Sequence, residues 1–138
     1  MPTRDLLALT EARAHLRLGD LDAATGAISR LAGVGGRFGN EARVISLEIA
    51  LSRRDLQAVR LLAQQLPLRG ILDAPAAVVA LWAAGERLGE PDIQDRACAE
   101  AVRLMMLAGE DDRPPLARRL GPVVGWLATL RTRASDLG

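Results

Sequence analysis

His15 is the only histidine and Cys98 the only cysteine in the 138-residue chain. A histidine base needs a nucleophile or an acid partner held within reach. His15 falls on the inner side of a helical stretch and reads as a packed or edge histidine. Cys98 lies beside the apolar stripe Ile93, Ala97, Ala101 and Leu104, where a thiol is a small buried hydrophobe. One cysteine builds neither a disulfide framework nor a thiolate zinc site. The run Gly33-Val34-Gly35-Gly36-Arg37-Phe38-Gly39 offers bare backbone N–H groups of the kind that cradle phosphate. A phosphate loop also needs Gly-Lys-Ser/Thr after a strand, and neither lysine nor strand is present. The run therefore reads as a flexible turn in which Arg37 can touch an anion. Glu110-Asp111-Asp112 beside two prolines lacks the calcium-loop spacing with its central glycine and reads as a solvated linker. No serine sits in a Gly-x-Ser-x-Gly elbow. These residues predict no catalytic centre, no metal site and no cofactor.

The composition narrows the partner. Net charge is +1, which gives no electrostatic case for nucleic acid or an anionic membrane. All 18 basic residues are arginine, and the richness in Ala, Gly and Arg suggests a GC-rich bacterial genome. Phe38, Trp82 and Trp126 are the whole aromatic set, too few for a single-strand stacking platform and unfavourable for an all-β fold. Both tryptophans read as core. No run reaches the roughly 18 apolar residues of a spanning helix, and Leu6-Leu7-Ala8-Leu9 is stopped by Thr10-Glu11. A cytoplasmic protein is expected.

The elements that must position any site are helical. Leu6, Leu9, Ala12 and Leu16 recur three or four apart, and Leu7, Ala14 and Leu18 mark an adjoining stripe. Gly19 ends this helix and Asp20 caps a second, 21–31. The pattern predicts a third helix capped by Asn40 and running to Arg53, and a fourth capped by Asp55 and ending near Pro67. A fifth is expected from Asp73-Pro75 to Gly89, and a sixth from about Asp92 to Ala108. Gly109 to Pro115 reads as the best linker. A last helix should run from Leu116 to about Arg133, broken or kinked at Gly121-Pro122.

The first helices form pairs with an internal repeat. Gly19-Asp20-Leu21 recurs as Arg54-Asp55-Leu56 and again as Gly89-Glu90, a step of 35 residues. Leu21, Ala23, Ala24 and Leu31 align with Leu56, Ala58, Val59 and Leu66, whereas the third match slips at Pro91-Asp92. Stacked hairpins bury a continuous core that one hairpin cannot bury alone.

This pattern resembles the tetratricopeptide repeat, a two-helix unit of about 34 residues. Gly19-Asp20-Leu21 with Ala24 matches the family turn, and Ala12, Leu47 and Trp82 fall where the family packs helix on helix. Departures are Glu11 and Ser46 in place of Leu, His15, Ala50 and Gly85 in place of an aromatic, and Gln94 in place of a small residue. The resemblance implies an all-α fold: three stacked hairpins in a right-handed solenoid over 1–109, then a linker and C-terminal capping helix over 110–138.

It also implies a groove lined by the first helix of each pair. Carried over residue by residue, the lining is Leu9, Arg13, Leu16 and Arg17, then Val44, Glu48, Leu51 and Ser52, then Val79, Ala83, Glu86 and Arg87. Leu9, Val44 and Val79 would form an aliphatic row for a helical peptide, with Arg13, Arg17, Glu48 and Arg87 setting its orientation. The positions that grip a terminal carboxylate in co-chaperones fall here on Leu9, Arg13, Ile45, Ala76 and Ala80, so acidic chaperone tails are not expected to bind. The expected function is an adaptor or small chaperone, similar in size and organisation to type III secretion chaperones. The alternative is a homo-oligomerising structural domain of a larger bacterial assembly.

Overall fold

The computed structural model describes residues 2–31 and 34–127, and these are all-α with no strand among them. The helices are α1 (Pro2–Arg17), α2 (Leu21–Ser29), α3 (Gly36–Arg53), α4 (Leu56–Gln65), α5 (Ala74–Leu88), α6 (Pro91–Leu107) and α7 (Arg113–Arg119), and residues 121–127 are again helical. No helix among the described residues is long and apolar enough to cross a membrane.

The 35-residue step is built into the backbone. Gly19, Arg54 and Gly89 each close a first helix in the left-handed region, with φ of 78°, 58° and 66°. At each turn the next residue's N–H reaches back five residues: Asp20 to the His15 carbonyl at 2.9 Å, Asp55 to Ala50 at 3.1 Å, Glu90 to Gly85 at 2.9 Å. These bonds satisfy carbonyls that the helix end would leave without partners. Asp20 and Asp55 then accept from the N–H groups of Ala23 and Ala58, starting the second helices at Leu21 and Leu56. The third second-helix starts at Pro91, on the same step, so the expected slip after Glu90 does not occur in the backbone. Glu90 caps it without a side-chain bond, and Pro91 opens the first turn. Gly85 departs from the repeat pattern because the start of α6 crosses it closely: a Cβ there would sit 2.7 Å from Gln94 Cγ and 2.9 Å from the Gln94 backbone nitrogen.

Two apolar clusters form the core. Ala12, Ala24, Leu31, Ile45 and Ile49 unite α1, α2 and one face of α3. Val44, Leu47, Val59, Val78, Leu81, Leu120 and Val123 unite the other face of α3 with α4, α5, α6 and the C-terminal segment. Fully buried alanines at 12, 24, 63, 77, 84, 97 and 101 let the helices approach closely.

Two boundaries differ from expectation. α3 begins at Gly36, so part of the glycine run is its first turn, and Asn40 lies inside the helix. Asn40 caps nothing there; its Nδ2 donates to the Gly70 carbonyl at 2.9 Å. Gly39 is needed because a Cβ there would overlap the Val34 carbonyl. The stretch expected as linker up to Pro115 is helical from Arg113, with its prolines in the first turn, where no N–H is required. The helix ends at Leu120, next to the expected Gly121-Pro122 break, and residues 128–133 of the expected last helix lie outside the described residues.

Candidate functional site

The first helices α1, α3 and α5 lie side by side, and an ion-pair network joins their exposed edge. Arg13 on α1 bonds Glu41 at 2.6 Å and Glu48 at 3.1 Å, both on α3. Arg13 and Glu48 occupy equivalent positions one repeat apart. Glu41 is buried, and its second oxygen accepts the Asp73 N–H at 3.1 Å. Asp73 starts α5 by accepting the Ala76 N–H at 3.2 Å, and it also receives Arg119 of α7 at 2.6 and 2.7 Å. The network thus ties three hairpins and the C-terminal segment together.

Burial and charge act oppositely within it. Burial pushes the Glu48 carboxyl above the ordinary carboxylate range; Arg13 opposes this, while Glu41 and Asp73 add to it. Burial disfavours the Arg13 cation, but the bonds and charges of Glu41 and Glu48 outweigh it and hold the guanidinium more firmly protonated.

Two hollows flank the network. One, of about 450 Å³, has a floor of Ala76, Val79, Ala80 and Ala83 on α5, faced by Leu51 and Ser52 on α3. The other, of about 380 Å³, lies among Leu6, Leu9 and Thr10 of α1 and Leu72 and Pro75 before and within α5. Arg13 and Arg119 line both.

The expected groove residues divide. Arg13, Glu48, Leu51, Val79 and Ala83 meet around the larger hollow, together with Ser52. Val44 does not. It is fully buried in the larger core cluster because α3 is covered on both sides, by α1 and α2 and by α4 and α5. Leu9 is likewise buried, touching only the smaller hollow, so no exposed Leu9–Val44–Val79 row exists. Arg13 is committed to Glu41 and Glu48 and is not a free steering charge. Leu16 is half-buried against the smaller cluster, while Arg17 and Glu86 are exposed. Arg87 lines a separate depression with Leu56 and Leu61 of α4.

Glu41, Asp73 and Arg119 escaped sequence reasoning. Asp73 was legible as a cap, but its two other partnerships join residues 32 and 46 positions apart. The remaining sequence candidates stay outside the site. Cys98 is buried, and burial with the nearby Asp95 raises its thiol pKa, the opposite of an activated nucleophile. Glu110 to Asp112 are exposed in the turn before α7. Trp82 and Trp126 pack against the larger cluster, as expected of core aromatics, with indole nitrogens that meet no acceptor among the described residues. No family model, curated protein or solved structure matches the chain.

Proposed function

We propose that the chain is a non-catalytic protein-interaction module, a cytoplasmic adaptor or small chaperone of tetratricopeptide-like repeat type. It would hold a helical segment of a partner in the groove between α1, α3 and α5. The supporting observation is the 450 Å³ hollow, whose floor of three alanines and one valine leaves room for large apolar side chains from outside. Ala83→Trp fills that floor. Quantitative mass spectrometry of captured partners should show at least about tenfold less recovery than with wild type. The circular dichroism melt of the variant should stay close to wild type. Equal recovery by both chains would remove the groove reading.

A second reading, self-association, is favoured by a different surface. Leu7, Thr10 and Ala14 on α1 are the repeat equivalents of Ala42, Ile45 and Ile49 on α3 and of Ala77, Ala80 and Ala84 on α5. The latter six are buried, whereas Leu7 is 57% and the nearby Leu18 81% exposed. The face that docks each later hairpin is therefore open on the first. Sedimentation equilibrium should show a mass that rises with concentration and returns to monomer in a Leu7→Glu, Leu18→Glu variant. A concentration-independent monomer would eliminate this reading.

A further inference from the structure

The two hollows and the network between them restrict the groove's ligand further, given that the groove is the binding site. We infer that the groove takes an amphipathic helix that carries a Lys or Arg midway between two large apolar side chains about seven residues apart.

The spacing follows from α5. Asp73 lines the smaller hollow and Val79 the larger, and Val79 lies six residues further on, roughly 9 Å at the helical rise. A ligand helix rises by the same amount per residue, and its positions i and i+7 share a face. One apolar side chain then enters each hollow, and a residue near i+3 or i+4 lies over the network.

The charge of that residue follows from the balance of the network. Three carboxylates, Glu41, Glu48 and Asp73, face two guanidiniums, Arg13 and Arg119. Glu41 has the 2.6 Å bond from Arg13 and the Asp73 N–H; Asp73 has Arg119 and the Ala76 N–H. Glu48 has only a share of Arg13, so of the three carboxylates it has the fewest partners. Its side chain is 23% exposed and borders the larger hollow. A ligand cation supplies the missing partner at a part-buried site, and a ligand carboxylate meets repulsion. Arg17, at the exposed end of α1, lines neither hollow and does not alter this balance.

The test uses two Ala-based helical peptides of 16 residues with Leu at positions 5 and 12. One has Lys at position 8 and the other Glu. Isothermal titration at low salt should show the Lys peptide binding at least about tenfold more tightly, with the preference shrinking as salt is added. Glu48→Gln, checked for an intact melt, should reduce the preference to under about threefold. Equal or tighter binding of the Glu peptide would overturn the inference; if Ala83→Trp still abolished both titrations, the groove reading would survive. Failure of both peptides to bind at about 1 mM, or binding indifferent to Ala83→Trp, would overturn both. A dimer that Ala83→Trp converts to monomer would assign the groove to a second copy of the chain and overturn the inference.

Discussion

Val44→Arg abolishes the cooperative thermal transition and most of the helical circular dichroism signal. Val44 is fully buried beside Leu47, Val59 and Val78, and α3 is covered on both sides, so an arginine there has no path to water. An unpaired buried cation costs several kcal/mol after relaxation, and overpacking adds about 1–3. Together these approach the 5–15 kcal/mol that holds a typical domain folded. Val79→Arg is the informative control. Val79 is half-buried in the floor of the larger hollow, which opens to solvent, so the long side chain can carry its charge out and the change should cost under about 1 kcal/mol. A folded Val44→Arg variant with a melt near wild type would contradict the packing of α3.

Glu41→Ala should destabilise the protein by about 3–5 kcal/mol, because it strips a buried partner from Arg13 and leaves the Asp73 N–H without its acceptor. The expected fall in melting temperature is on the order of 10 °C, measured by calorimetry. Replacing both partners, as in Arg13→Met with Glu41→Leu, should recover most of the loss, since the desolvation cost of the charges goes with them. A Glu41→Ala melt within about 1 kcal/mol of wild type would show the network to be dispensable.

The repeat was legible because it is enforced where the backbone has least choice. The turns at Gly19 and Gly89 need a left-handed residue, and Asp20 and Asp55 must satisfy N–H groups, so residue type records geometry there. Arg54 takes the same conformation without being glycine, and the following Asp55-Leu56 was what marked that turn. The start of α3 was hidden for the opposite reason. Glycine disfavours a helix interior, yet Gly39 is fixed by the Val34 carbonyl crossing it, a tertiary contact with no local signature. The groove was legible only in part. α3 is apolar on two faces, and periodicity identifies both without saying whether either stays open; the structure shows both closed. The opposite charges of Arg13 and Glu48, one repeat apart on neighbouring helices, did carry the signal for their pairing. The resemblance assigned the two residues to the ligand instead.

The division of the core at α3 sets how the molecule comes apart. The first hairpin, α1 with α2, meets the rest chiefly through one face of α3, and the apolar cluster it shares is the smaller, alanine-rich one. Parting it from α3 exposes that cluster and breaks the bonds of Arg13 to Glu41 and Glu48 and of Arg53 to Asp22, while the cluster beneath α4 to α6 stays closed. The α1–α2 hairpin therefore opens at a lower free energy than the whole, and the groove loses one wall in the same event. A partner bound across α1 and α5, as proposed above, would staple this seam, so occupancy and resistance to local unfolding would rise together.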